Sequence, residues 1–255
     1  MTYAYLGKGD MHGRVFRIKP GQYIAGHPIG ILHLEVWYPL LPGNVVNAST
    51  YDFPVRLKLV KGATQERMLS GDPTLLEEII AAGRELEQEG VRAVVGACGY
   101  FGNFQPQVAA ALDVPVFLSS LLQVPLIHRA LKPGQKVGIM CADSRFLRRQ
   151  TLEACGVTPD IPIAVVGLED QPEFGKILYS KGEFDYSRLE QEVVSCAQRL
   201  VQENPEVGAI LLECSDLPPF AAAVQAAVEL PVFDFITLIR WVYHAVVQKP
   251  YEGIC

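Results

Sequence analysis

The sequence lacks several of the patterns that would assign a chain to a familiar class of metal-binding or secreted protein. It contains no C-x-x-C and no H-E-x-x-H motif, so we expect no metal site. Six cysteines in 255 residues are too sparse for a secreted domain that is held together by disulfides. The cysteines are therefore predicted to be free thiols.

Clusters of lysine and arginine are missing as well. The 22 basic and 28 acidic residues give a formal net charge of −6, and phosphate binding needs clustered cations, so a nucleic-acid partner is not expected. No apolar run reaches the about 18 residues of a membrane span. The first 23 residues contain no continuous apolar segment typical of a secretory signal. These absences predict a cytoplasmic protein that has no membrane partner.

The chain does contain a regular alternation of short apolar segments and amphipathic stretches. Several of the short segments are apolar without alternation, which is typical of parallel strands covered on both faces. Strand–helix alternation predicts an α/β fold with parallel sheets. Eight strands in 255 residues suit two doubly wound, four-stranded units better than a closed barrel. The predicted strands cover 30–36, 55–60, 92–97, 114–118, 136–141, 161–166, 208–213 and 230–235.

The two halves of the chain are related by an internal repeat. "VRAVVGACGYF" (91–101) and "VGAILLECSDL" (207–217) align without a gap at a shift of 116 residues, which matches Cys98 with Cys214. Further matches at the same shift pair Pro115 with Pro231, Phe117 with Phe233 and His128 with His244. The repeat predicts two copies of one α/β unit, each with a cysteine directly after the equivalent strand.

Cys98 and Cys214 are the candidate catalytic residues. Sites in open parallel sheets form beyond the carboxyl ends of the strands, so two facing units would place both thiols on opposite walls of one cleft. A helix N-terminus lowers the pKa of a thiol from about 8.5, which allows proton exchange near neutral pH. Two such groups suit inversion of a carbon next to a carboxylate, with one thiol as base and the other as acid. The backbone around Gly99–Tyr100 and Ser215–Asp216 is predicted to hold the carboxylate.

The segments around both cysteines resemble a known family. "GACGYF" and "LLECSD", with the repeated "VPVF" and "LPVF" strands, are similar to the aspartate/glutamate racemase superfamily over most of the chain from about residue 29. The resemblance implies two pseudo-symmetric α/β domains with the active site in the inter-domain cleft, and proton transfer by two cysteines without a cofactor. It also implies that the last helix returns to the first domain, which then covers 1–121 plus 239–255, while the second covers 122–238.

The sequence departs from that family in two places that bear on the substrate. The loop after the first strand is long where compact members have a short Asp-Ser turn, and its Asn44 and Asn47 are within reach of the cleft, so Asn47 is predicted to bind substrate. The second half keeps an Asp-Ser pair, which makes Ser144 a further candidate. Neither cysteine is followed by the threonine or Asn-Thr of many members. The substrate therefore need not be aspartate or glutamate.

The sequence thus predicts a cofactor-independent racemase or epimerase of a small amino acid or related α-substituted carboxylate. One alternative is an isomerase or decarboxylase of the same superfamily, of the maleate isomerase or arylmalonate decarboxylase type, that uses a single thiol. Another is a non-catalytic protein that binds small carboxylates. The sequence leaves a homodimer or larger homo-oligomer open. A structural role is predicted for the other four cysteines, Cys141, Cys155, Cys196 and Cys255.

Overall fold

Eight short strands form two separate sheets in the computed structural model, which describes Leu6, residues 11–18 and residues 20–254. The strands are β1 Ile29–His33, β2 Val55–Leu59, β3 Ala93–Gly96, β4 Val116–Phe117, β5 Lys136–Cys141, β6 Ile163–Gly167, β7 Val207–Leu212 and β8 Val232–Phe233. Their order is β2-β1-β3-β4 in the first sheet and β6-β5-β7-β8 in the second. All pairings are parallel. The predicted pair of four-stranded α/β units is confirmed.

Nine α-helices accompany the strands within the described residues. They are α1 Gln65–Ser70, α2 Leu76–Glu89, α3 Gln105–Ala111, α4 Val124–Ala130, α5 Arg149–Ala154, α6 Pro172–Leu178, α7 Tyr186–Glu203, α8 Ala221–Val228 and α9 Phe235–Val246. At the start of α7 the side chain of Asp185 accepts a hydrogen bond from the backbone of Arg188, and Gly90 ends α2 at φ 92°. No helix in this part of the chain has the length and apolar character needed to cross a bilayer.

The repeat seen in the sequence is also present in the strand register. Val94 and Val95 of β3 pair with Val116 and Phe117 of β4. The residues 116 positions later pair in the same way, Ile210 and Leu211 of β7 with Val232 and Phe233 of β8. Cys98 and Cys214 therefore follow equivalent strands at equivalent ends of the two sheets.

Two helices cross over between the halves of the repeat. Helix α9 packs on the first sheet, because its buried Leu238 and Val242 share an apolar cluster with Ile31 and Val95. Helix α4 packs on the second sheet, where its residues Val124 and Ile127 are buried beside Val137 and Ile139 of β5. The domain limits at 121/122 and 238/239 stay a prediction. Residues 1–5, 7–10, 19 and 255 of the first predicted domain lie outside the described residues.

The long loop between β1 and β2, residues 34–54, contacts the second sheet. The Val45 N–H donates to the Ser215 carbonyl at 3.4 Å, and Asn44 Nδ2 donates to Asp216 Oδ1 at 2.5 Å. Within the loop the Tyr51 hydroxyl donates to the Val45 carbonyl at 2.8 Å, which holds this segment in place. The loop therefore bridges the two sheets next to the end of β7.

We predict that Gly96→Ala destabilises the first sheet. A Cβ at Gly96 would overlap the backbone carbonyl oxygen of Leu118, an atom that cannot move without distorting the strand. We expect the free energy of unfolding in urea to fall by about 1–3 kcal/mol. Gly175→Ala in α6 is the matched control, because nothing lies within 4 Å of its Cβ position and alanine favours the helix by about 0.5–1 kcal/mol. A Gly96→Ala protein as stable as wild type would contradict this reading.

Candidate active site

A cavity of about 600 Å³ lies at the carboxyl ends of β3 and β7, between the two sheets. Its wall combines residues from both halves of the repeat with residues from the loop 34–54. The first half contributes Cys98, Gly99 and Tyr100, the second contributes Cys214, Ser215 and Asp216, and the loop contributes Tyr38 and Asn44. The structure thus brings both predicted cysteines to one cavity, together with four of the six predicted substrate contacts.

Cys98 lies where β3 passes into a 3₁₀ turn, Gly99–Phe104. Its backbone is extended, and the backbone N–H groups of Tyr100 and Phe101 lie near the sulfur, the Phe101 N–H donating to the Cys98 carbonyl at 3.1 Å. Burial and the neighbouring Glu213 nevertheless raise the pKa of the Cys98 thiol above its ordinary value. The thiol is therefore protonated at neutral pH.

Cys214 is buried just beyond the end of β7. Its Sγ donates to Asp216 Oδ2 at 3.6 Å. Burial and the Asp216 carboxylate raise the pKa of the Cys214 thiol well above its ordinary value. The predicted lowering of both thiol pKa values is wrong, because the loss of water around each sulfur outweighs the favourable backbone N–H groups.

Asp216 is held by three donors. The Tyr38 hydroxyl donates to Oδ2 at 3.0 Å and the Asn44 amide to Oδ1 at 2.5 Å, and the third donor is the Cys214 thiol. Burial raises the pKa of Asp216 to about 6, although all three hydrogen bonds oppose the shift. Asp216 is thus largely ionised at pH 7 and accepts the hydrogen bond from the Cys214 thiol as a carboxylate.

Glu213 precedes Cys214 and is completely buried. Neither carboxyl oxygen has a hydrogen-bond partner within the described part of the chain. The side chain packs against Gly99, where a Cβ would overlap the carboxyl group. Burial raises the pKa of Glu213 to about 8, and the nearby backbone of Ala142 offsets part of this shift without a hydrogen bond of normal geometry. A carboxyl group in this setting is mostly protonated at neutral pH.

The orientation of Glu213 differs from the one that strand alternation predicts. Alternation would place its side chain on the face of the sheet opposite to that of Cys214. Strand β7 ends at Leu212, however, so the pleat no longer determines where the next two side chains lie. Glu213 and Cys214 consequently line the same cavity.

Two of the predicted substrate contacts lie elsewhere. Asn47 caps the turn that follows it, accepting from the backbone of Ser49 and donating to the Leu40 carbonyl at 2.9 Å. The Ser144 hydroxyl donates to the Glu169 carboxylate. Neither residue belongs to the cavity wall, so the structure corrects both placements. The loop amide that reaches the wall is Asn44.

Sequence reasoning missed one residue that holds Asp216, namely Tyr38. It lies in an irregular loop, where no periodicity indicates which side chains point inward.

The remaining cysteines are not part of the wall. Cys141, Cys155 and Cys196 are buried, and none of the described cysteines forms a disulfide; Cys255 lies outside the described residues. Among the residues that the structure describes, no group of three or more histidine, cysteine, aspartate or glutamate side chains is placed to hold a metal ion.

The wall of the cavity is acidic and aromatic. Glu35, Glu213 and Asp216 line it beside Trp37, Tyr38 and Tyr100, and no lysine or arginine does so within the described residues. The ring of His33 also lines the wall, but burial lowers its pKa, which leaves it uncharged at pH 7. Carboxylates and aromatic faces attract cations, whereas a dicarboxylate would need a cationic partner. The wall therefore favours a ligand that carries a positive charge.

The fold and the cavity place the chain among two-sheet α/β proteins that hold one thiol on each wall of a central cleft. Residues 63–241 match the family model described as Asp/Glu/Hydantoin racemase. The match covers well over half of the chain, and the protein belongs to the Asp/Glu/hydantoin racemase family.

Curated relatives and solved structures extend this result. The chain is 31% identical over 242 residues to dimethylsulfoniopropionate lyase 3 of Emiliania huxleyi strain CCMP1516, covering 91% of this chain but 63% of that protein. It is 32% identical over 234 residues to a dimethylsulfoniopropionate lyase of Durusdinium sp. clade D, covering 89% and 77% of the two chains. A mutant of arylmalonate decarboxylase in a sulfate-associated form shares the fold at a TM-score of 0.60 and 14% identity, over 88% and 95% of the two chains.

We predict that the buried carboxyl of Glu213 makes the fold less stable as the pH rises. Its folded pKa is about 8 against an ordinary 4.5, so between these values the native state keeps a proton that the unfolded state has lost. The free energy of unfolding should fall there by up to about 1.4 kcal/mol per pH unit. Glu213→Gln should remove the contribution of this carboxyl group to the fall in the free energy of unfolding. The variant should therefore be more stable than wild type at about pH 9 and similarly stable at about pH 4.

Urea denaturation at several pH values measures this effect. Glu203→Gln is the matched control, since it removes the same charge from an exposed position on α7. Equal pH dependence in wild type and Glu213→Gln would show that burial of the carboxyl does not oppose its ionisation.

Proposed function

We propose that this protein is a lyase that removes a proton next to a carboxylate and expels a positively charged group from the neighbouring carbon as a neutral molecule. Dimethylsulfoniopropionate is the first substrate to test. The observation that carries the proposal is the cavity wall, which has three carboxyl groups and several aromatic rings but no lysine or arginine within the described residues. A sulfonium cation suits such a wall. The names of the curated relatives support the same substrate.

The surroundings of the two thiols support a lyase with one base rather than a racemase. Inversion in both directions needs two acid/base groups that are closely matched. Here Cys214 has a carboxylate within hydrogen-bond distance, whereas the Cys98 sulfur lies near two backbone N–H groups. This asymmetry supports the single-thiol alternative drawn from the sequence over the two-thiol racemase.

In the proposed reaction Asp216 takes the thiol proton of Cys214, and the thiolate removes a proton from the carbon next to the substrate carboxylate. The electron pair of that C–H bond forms the carbon–carbon double bond. The bond from the next carbon to the sulfonium sulfur breaks, and its electron pair stays on sulfur. The products are acrylate, dimethyl sulfide and one proton, which Asp216 releases to solvent. The departing thioether is neutral and needs no second proton donor.

A cationic substrate also explains how a thiol with a raised pKa serves as a base. An opposite charge within a few ångströms favours the ionised form of an acid. The sulfonium group would therefore offset the burial that keeps the Cys214 thiol protonated. In this scheme the thiolate forms once substrate is bound.

The turn that begins at Cys98 is proposed to hold the substrate carboxylate. A protonated thiol and the nearby backbone N–H groups of this turn are hydrogen-bond donors. Removal of the proton spreads negative charge onto the carboxylate oxygens, and donors placed there stabilise that charge most in the transition state.

We predict that the purified protein releases dimethyl sulfide and acrylate from dimethylsulfoniopropionate, measured by gas chromatography and proton NMR. Cys214→Ser should lower kcat/KM by at least about a thousandfold, because the base is lost. The loss of kcat/KM in Cys98→Ser should be at least about tenfold smaller than in Cys214→Ser, because the leaving group needs no proton. Cys196→Ser, a buried cysteine on α7 outside the cavity, is the matched control and should resemble wild type.

Two results would contradict this assignment. Equal and complete losses in Cys98→Ser and Cys214→Ser would favour a two-thiol mechanism. Deuterium exchange into an amino acid in D₂O, without release of dimethyl sulfide from the sulfonium substrate, would favour the racemase.

The dependence of kcat/KM on pH tests the role of Asp216 as the proton acceptor. Its pKa is raised to about 6 and its ionised form is the proton acceptor, so kcat/KM should rise with pH through about 6. Asp216→Asn should lose activity by about a hundred- to ten-thousandfold. Tyr38→Phe removes a hydrogen bond that lowers the pKa of Asp216, and its acid limb should move to higher pH. An unchanged limb in Tyr38→Phe would show that another group controls it.

A further inference from the structure

The proton path from substrate to Cys214 and Asp216 leaves the buried carboxyl of Glu213 without a role. We infer that Glu213 works as a neutral carboxylic acid that donates a hydrogen bond to the substrate carboxylate. The inference rests on the proposed function for the identity of the substrate. It adds a substrate-binding and charge-stabilising group to the cavity.

The geometry of Glu213 indicates a missing partner. The residue is fully buried, lines the cavity, and has no hydrogen bond to either carboxyl oxygen within the described residues. The other two carboxyl groups of the wall already have donors. Glu35 accepts from the Gly62 N–H at 2.7 Å, and Asp216 accepts from three side chains. A buried polar group without a partner is costly, so a ligand atom is the natural partner for Glu213.

The chemistry of the wall determines which partner this is. The substrate carboxylate finds no lysine or arginine among the described lining residues. An ionised Glu213 would repel that carboxylate, whereas a protonated Glu213 donates one hydrogen bond to it. Because Glu213 packs against Gly99, the acid lies beside the Cys98 turn where the carboxylate is proposed to bind.

The groups around Glu213 also favour the neutral form. Five weak acids interact with its charge from four parts of the fold: Cys98 and Tyr100 after β3, Cys141 in β5, Cys155 after α5, and Cys214 after β7. A negative charge on Glu213 raises the pKa of every one of them. Burial raises the pKa of Glu213 itself to about 8. Keeping the proton therefore both recruits the substrate and leaves Cys214 free to ionise.

A neutral acid in this position would act most strongly in the transition state. As the α-proton leaves, negative charge grows on the substrate carboxylate and the hydrogen bond from Glu213 becomes stronger. Carboxylic acids that an apolar site keeps protonated are known to stabilise developing oxyanions in this way.

The kinetic test compares Glu213→Ala with Glu213→Gln. Loss of the donor in Glu213→Ala should lower kcat/KM by roughly a hundred- to a thousandfold. The isosteric amide still donates, so Glu213→Gln should recover activity to within about tenfold of wild type at pH 7. Wild-type kcat/KM should decline above about pH 8 as the acid ionises, and Glu213→Gln should lack that decline. The inference is overturned if Glu213→Gln is as impaired as Glu213→Ala, or if it keeps the alkaline decline.

A spectroscopic test does not require turnover. Infrared difference spectra of wild type and Glu213→Gln at pH 7, with and without acrylate, should show a protonated-carboxyl band in wild type alone that shifts when acrylate binds. Glu203→Gln should keep the band. If wild type lacks it, the inference fails whatever the substrate. If the band is present and shifts with acrylate while dimethylsulfoniopropionate is not cleaved, the proposed function fails and the neutral acid stands.

Discussion

The exclusion of water from the acidic groups between the two sheets is the constraint on which the rest of the site depends. Burial is the largest influence on the pKa of Cys98, Cys214, Asp216 and Glu213, and it raises all four. No lysine or arginine in the described wall compensates for it. Of these four groups, Cys98, Cys214 and Glu213 are therefore largely protonated at neutral pH, and Asp216 is the one that is largely ionised. A positively charged ligand changes that balance more than any other class of small molecule would.

Two sheets of identical strand order meet at this cavity, yet their contributions are not equivalent. Each supplies a cysteine after the same strand. The second half adds Glu213 and Asp216, and the loop 34–54 adds Tyr38 and Asn44 on the side of Cys214. Duplication thus explains why there are two thiols, while the added carboxyl groups and the loop explain why the thiols differ. The proposed division between a base and a carboxylate-binding wall follows from that asymmetry.

Much of this arrangement can be predicted from the sequence, because it depends on local sequence patterns. All eight predicted strands are present, and the repeat alone predicts that Cys98 and Cys214 lie at matching ends of the two sheets. The side-chain contacts of the loop were not predictable: Asn44 reaches the cavity and Asn47 caps a turn, although they lie three residues apart in the same irregular segment. The direction of the thiol pKa shifts also escaped prediction, since it depends on how much water the assembled cleft excludes.

The packing of α9 on the first sheet has a consequence for how the chain is made. The helix that covers the face of β1 and β3 is synthesised after every strand of the second sheet. During translation, that face of the first sheet therefore stays uncovered until α9 has been synthesised. Assembly of the cleft therefore depends on α9, and a truncated chain that ends before residue 235 would contain both cysteines but leave one side of its first sheet open to water.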